Sequence, residues 1–198
     1  ILKRYHVDDI IKNNVKLFDY TTTTTPLFAK KIKVLNENVY VLPNAINPED
    51  ERFKVVKAHS DRLRIGMIMG STHEKDMELI GNITQVLTKD ELDKVQFVLC
   101  GYDLNGVKTT LDPVTRRPVT EPIKPIEGVW YRYEKMMTSD FKILSPEYRS
   151  FLLQFIPNLD YYNVDNEPYR RCWTKPVVEY YQHYRNVDVL LAPLATSE

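Results

Sequence analysis

The chain has 198 residues, 43% of them apolar and 27% charged, the composition of a globular protein that can bury a core without disulfide or metal staples. Its 27 basic and 27 acidic side chains cancel, which excludes a global field that gathers nucleic acid or an anionic membrane, so any polyanion site must be local. No apolar stretch approaches the roughly 18 residues that span a bilayer and no signal-peptide pattern opens the chain, so a cytoplasmic location is expected.

Residues 7 to 14 read as a short helix, and Val15-Lys16-Leu17-Phe18-Asp19-Tyr20 as a strand leading into the threonine run 21 to 25. Thr25-Pro26 pairs an N-cap with proline at the first helical position, followed by Leu27, Phe28, Ile32 and Leu35 at helical spacing. Residues 38 to 44 form another strand, closed by Pro43-Asn44. From 45 to 62 the apolar pattern lapses and charge rises, which marks a boundary: 1–46 as one domain's end, 47–62 as linker, 63–198 as a second domain.

That second domain opens on the most informative stretch, in which the apolar run Leu63 to Met69 breaks at Gly70-Ser71-Thr72-His73 and Glu74 starts a helix. A strand buried on both faces reads this way, with a turn delivering the chain to a helix N-terminus. Backbone N–H groups there can face a phosphate, because the first turn of a helix has unpaired donors and about half a positive charge. The turn is neither the Gly-x-Gly-x-x-Gly dinucleotide fingerprint nor a P-loop, which argues against NAD or ATP in their usual modes.

The helix is expected to run from 74 to 88 with Met77, Ile80, Ile83, Thr84 and Leu87 on one face, followed by a strand over 95 to 100 ending in Gly101-Tyr102-Asp103. Strand, helix and strand make a βαβ unit and predict a parallel sheet with right-handed crossovers. Residues 104 to 138 read as a long polar excursion with a hairpin from about 107 to 122. Ser145-Pro146-Glu147 starts a helix through Tyr148, Phe151, Leu152 and Phe155. Among the tyrosines between 161 and 184, a helix over 175 to 185 is expected to turn Val177, Val178, Tyr181 and Tyr184 to the core. The apolar run Val187 to Leu194 is read as a last strand, central to a covered sheet.

Several side chains are read as structural. Cys100 and Cys172, among apolar or aromatic neighbours and without metal-ligand spacing, are expected to be reduced, buried thiols. Glu134-Lys135 and Arg170-Arg171 are expected on the solvated surface, and Asp188 to cap the strand entrance or pair with Arg185. His59 and His183 have no partner in the sequence and receive no proton-transfer role.

Three segments carry a resemblance: Asp19 to Leu27 with Val39-Tyr40-Val41-Leu42-Pro43-Asn44-Ala45-Ile46; Arg64 to Asp76; and Tyr184 to Leu194. Together, in this order and spacing, they resemble the nucleotide-sugar glycosyltransferases of the two-Rossmann-domain (GT-B) type, especially family 4 (group 1) and its bacterial relatives. The resemblance does not extend over 104–170. It implies an α/β fold, a Rossmann-like parallel sheet with helices on both faces, as half of a GT-B architecture truncated before the donor domain ends. It also implies retaining, metal-independent transfer without a cofactor, from a nucleoside-diphosphate sugar to a glycan, lipid or protein acceptor, with peripheral membrane association through parts outside this chain. Gly70, Ser71, Thr72, His73 and Lys75 would lie near the pyrophosphate and Gly101 and Tyr102 near the nucleotide.

Departures accompany the resemblance. Ser71 follows the loop glycine where the family has Arg, and Lys75 comes sooner than the family's lysine. The family's paired glutamates would lie beyond Glu198, so the chain, which starts without Met, is expected to be part of a longer protein. The competing expectation is a Rossmann-like binding or interaction module without catalysis.

Overall fold

The computed structural model of the protein describes residues 7–45, 47–54, 56–154 and 164–195. Ile46, Phe155, Tyr161 and Tyr162, which figured in the sequence readings, lie outside the described residues. The chain divides into two compact units, residues 1–50 and 51–198.

In the first unit, helix α1 spans Val7–Val15, strand β1 Thr21–Thr23, helix α2 Pro26–Ile32 and strand β2 Val39–Val41. The Thr25 hydroxyl accepts from the Phe28 N–H at 3.2 Å, so the expected cap-then-proline start is the one observed. β1 and β2 pair in parallel, Thr21 opposite Val39. Val15 ends α1 and residues 16–20 are turn and irregular chain rather than the expected strand, for a local reason. Asn36 Nδ2 donates to the carbonyls of Val15 and Phe18 at 3.0 and 2.7 Å, and Asn38 Nδ2 to that of Asp19 at 3.0 Å. Carbonyls held by side chains are withdrawn from ladder pairing.

The second unit is mixed α/β around strands β3 (Leu63–Ile68) and β4 (Val95–Tyr102), with helix α3 (Glu74–Glu78) and helix α4 (Lys89–Leu92) between them. Strands β5 (Val107–Leu111) and β6 (Pro118–Pro122) form an antiparallel arm, and helices α5 (Val129–Met137) and α6 (Pro146–Leu153) lead to strands β7 (Tyr169–Trp173) and β8 (Val189–Leu190). A four-stranded sheet runs β7-β4-β3-β8, every pair parallel. The expected βαβ unit is therefore present, and strand order reverses at β3: β4 and β7 lie to one side, β8 to the other.

Side-chain alternation sorts the strands onto two faces. Met67, Met69, Phe97, Leu99, Tyr102 and Tyr169 enter the larger core, closed by Met77, Trp130, Tyr133, Met137, Tyr148 and Leu152 from the helices. Val98, Cys100, Cys172 and Val187 form a smaller cluster on the opposite face. Gly66 belongs to that opposite face, and a Cβ there would collide with Val187 Cγ2, so the close approach of Val187 requires glycine.

Four expectations are corrected. The helix over 74–88 stops at Glu78: Asn82 adopts φ 64° and donates its N–H to Met136 O, and only a 3₁₀ turn, Ile83–Val86, follows. The segment Val177–Asn186 winds as 3₁₀ helix, in which Tyr180 and buried His183, three residues apart, turn inward while Val177, Val178 and Tyr184 stay 92%, 65% and 47% exposed. β8 pairs only with β3 and stands at the sheet edge among the described residues, its Val189 and Leu190 nearly half exposed, so it is not central. Finally, the end of the 104–138 excursion is core: α5 buries Trp130, Tyr133, Glu134 and Met137 at helical spacing.

Candidate functional site

The parallel sheet's C-terminal rim carries the turn that the sequence singles out. In open parallel sheets, ligands bind outside the carboxyl ends of strands where the strand order reverses. Here that point lies between the exits of β3 and β8. Gly70, Ser71 and Thr72 are exposed there, and a Cβ at Gly70 would meet nothing within 4 Å. The turn is anchored from beneath by Tyr133, whose hydroxyl donates to Ser71 O at 3.2 Å. Burial pushes that phenol up to about 12, so it acts as a neutral donor at physiological pH.

Electrostatics of the turn differ from those of an open phosphate cradle. α3 has only five residues and carries Glu74 and Asp76 in its first turn. Asp76 Oδ1 accepts from Ala195 N–H at 2.6 Å, and Oδ2 lies 2.7 Å from His73 Nδ1. The Ala195 amide first, then His73, hold the Asp76 carboxyl below its usual range. Glu74 receives Arg132 in a bidentate pair at 2.6 and 3.1 Å, which lowers its carboxyl likewise. Two carboxylates thus stand in the first turn of α3, and Asp76 fastens it to the chain beyond β8 at Ala195. Lys75, exposed on α3, makes no hydrogen bond or ion pair among the described residues.

The remaining two expected site residues sit deeper. Gly101 has φ +95°, and a Cβ there would come within 2.7 Å of Met69 O and 3.0 Å of the Tyr180 hydroxyl. Tyr102 is fully buried, its hydroxyl donating to Glu134 Oε2 at 3.2 Å, and burial raises its phenol far above the ordinary range. Both positions shape the β4 exit from inside the core and present no surface to a ligand. Gly101→Ala combines backbone strain with a carbonyl collision and is expected to lower stability by about 2 kcal/mol. Its chemical-denaturation midpoint against that of Gly70→Ala, expected unchanged, checks this.

Beside the turn lies a feature that the sequence reading missed, a cavity of about 380 Å³ between Ser71, the β4 exit, the β5–β6 arm and the start of α5. Asp103, Lys124, Glu127 and Arg132 supply its charges and Trp130 is its aromatic lining residue. It is assembled from three segments separated by as much as 60 residues, and no local pattern announces such convergence. No protein-family model, curated protein or solved structure matches this chain.

On the opposite face Cys100 and Cys172 stand directly across from each other on β4 and β7, both free and buried. The neighbouring Cys172 and burial raise the Cys100 thiol, whereas Cys100 and then His183 lower that of Cys172. His183 itself is fully buried. The expected reduced thiols are those observed; their adjacency is new. Among the described residues no group of three or more His, Cys, Asp or Glu is placed to hold a metal ion, and no helix is long and apolar enough to cross a membrane.

Proposed function

We propose that the chain is the donor-side part of a nucleotide-sugar glycosyltransferase, a Rossmann-like half of a GT-B architecture. The anionic tail of a nucleoside-diphosphate sugar would lie over the 70–73 turn, and the acceptor would be a glycan, lipid or protein. The observation that carries the reading is the exposed Gly70-Ser71-Thr72 bend at the exit of β3, where a four-stranded parallel sheet reverses its order. Amide donors of the bend would approach the diphosphate and Lys75 would supply cationic charge, with transfer retaining and independent of metal. Gly70, with open space where a Cβ would stand, lets the ligand come close to the backbone.

A second reading, a nucleotide-binding or interaction module without catalysis, is favoured by Glu74 and Asp76. These place two carboxylates on the turn that would receive phosphate. Titration with uridine and guanosine diphosphates tests the site common to both readings. Gly70→Val fills the open space with a side chain whose Cβ meets nothing within 4 Å, so it is expected to weaken nucleotide binding at least tenfold while leaving the thermal unfolding profile in place. Binding unchanged in Gly70→Val removes the turn from the site. Sugar release from a nucleotide sugar, assayed on the same preparation, separates the enzyme from the module.

A further inference from the structure

The cavity beside the turn has a chemistry of its own. Arg132 lies on its wall, but its guanidinium is committed to Glu74 through two hydrogen bonds and to Glu127 O at 3.0 Å. The charges left to meet a ligand are Asp103, Glu127 and Lys124, one net negative. A diphosphate or other anion is repelled by such a lining, whereas a neutral ligand rich in hydroxyls finds both acceptors and a donor. Between these groups the wall is apolar, with Leu104, Val107, Ile123 and Trp130.

Trp130 narrows the class further. Its ring is packed against Tyr102 and Tyr133, with centroids 5.9 and 5.5 Å away, and only 7% of the residue is exposed. With so little of the residue exposed, the ring offers no stacking face of the kind a nucleobase requires.

The β5–β6 arm continues the same surface. Its register puts Val107 opposite Pro122, Thr109 opposite Thr120 and Leu111 opposite Pro118 on one face, which bears no charge. Lys108 and Glu121 fall on the other face. Val107 belongs to both the arm and the cavity wall, so the uncharged face runs on from the cavity. All ten strand residues of the arm are exposed, and Pro118 and Pro122 leave the β6 edge two N–H groups short for pairing with an added peptide strand.

We propose that the cavity and the uncharged face of the arm form a binding site for a neutral glycan, one sugar ring seated between Asp103, Glu127 and Trp130 and its neighbours laid along Thr109 and Leu111. This site adjoins the turn proposed to hold a nucleotide, Ser71 bordering both, but does not depend on that assignment.

The test is calorimetric titration of the full chain with a panel of neutral di- to tetrasaccharides built from hexoses, N-acetylhexosamines and deoxyhexoses. At least one is expected to bind. The site is expected to lose tenfold or more in Val107→Trp, which fills the mouth from an exposed position, and in the double variant Asp103→Asn with Glu127→Gln. Thermal unfolding and uridine or guanosine diphosphate titrations of these variants are expected to match the parent, so a failure here is distinct from a failure of the nucleotide site. The proposal is overturned if no saccharide of the panel binds at millimolar concentration, if the variants bind as the parent does, or if the cavity takes a peptide or an acidic sugar in preference.

Discussion

Glu134→Gln is expected to lower the stability of the second unit by about 4 kcal/mol, the loss typical when one partner of a buried ion pair is removed. Glu134 and Arg171 are almost completely buried, 0% and 1% exposed, and their bidentate pair measures 2.6 and 2.8 Å. Around it the Tyr169 and Tyr102 hydroxyls donate to the same carboxylate at 2.9 and 3.2 Å, Arg171 Nη2 donates to Leu152 O at 3.0 Å, and the guanidinium lies 4.3 Å over the Tyr102 ring. Burial works against the Arg171 charge and Glu134 more than offsets it, so the guanidinium's pKa is raised. Burial and then the Glu134 charge push the Tyr102, Tyr148 and Tyr169 phenols up, keeping them neutral.

Removal of the charge at 134 strands a guanidinium inside the sheet–helix interface and leaves two phenols with a weaker acceptor. A melting temperature lower by on the order of 10 °C is the corresponding thermal signature. Arg171→Met alone is expected to be as damaging, because it strands the carboxylate. The double variant Glu134→Leu with Arg171→Met leaves no buried charge and is expected to recover most of the loss, since apolar replacements of buried pairs are often neutral. Urea unfolding of the parent, Glu134→Leu, Arg171→Met and the double variant gives the coupling directly. Additive losses in the double variant would show that the two side chains do not act as a pair.

This pair also marks where reading the sequence stops. Glu134-Lys135 and Arg170-Arg171 look like surface charges because nothing local shows that Glu134 and Arg171, 37 residues apart, meet in the core. Alternation along Tyr169-Arg170-Arg171-Cys172-Trp173 does put Arg171 on the same side as Tyr169, but only the known burial of that side makes the arginine buried. Glu134 has a second effect, for it interrupts the apolar stripe of α5 and hides a core helix inside an apparently polar excursion.

Features fixed by adjacent residues were legible. Thr25-Pro26 and Ser145-Pro146 start helices with their side-chain caps made, at 3.2 Å in each case, and the arm spans 107 to 122. The two parallel strands near 63 and 95 were legible from their apolar runs, while the single helix expected between them over 74–88 was not what formed. The candidate turn was also legible as an exposed bend at a strand exit. Its carboxylate partners were not, because Asp76 is met by Ala195 and Glu74 by Arg132, contacts 119 and 58 residues apart in sequence.

Acid sensitivity is expected to centre on Asp188, whose sequence-level partner, Arg185, is not the one the fold provides. The carboxylate instead accepts from Arg64 Nε at 3.0 Å, Nη2 at 3.1 Å and backbone N at 3.0 Å, while Lys57 Nζ stands 3.5 Å away. Arg64 is buried on β3 and Asp188 precedes β8, so the pair fastens the edge strand at the reversal point. The Arg64 side-chain hydrogen bonds, chiefly, hold the Asp188 carboxyl far below the usual range. A carboxyl depressed by folding contributes its full stabilisation above its unfolded value of about 3.9, and that contribution fades as pH falls towards the folded value. Asp188→Asn is therefore expected to be less stable than the parent by about 3 kcal/mol at pH 7, since Arg64 is left buried without its counter-charge. The gap is expected to narrow steadily below about pH 4, where protonation begins to weaken the parent in the same way. Urea midpoints of both proteins between pH 2 and pH 7 check this. A gap independent of pH would mean that Asp188 acts through its shape and hydrogen bonds rather than its charge.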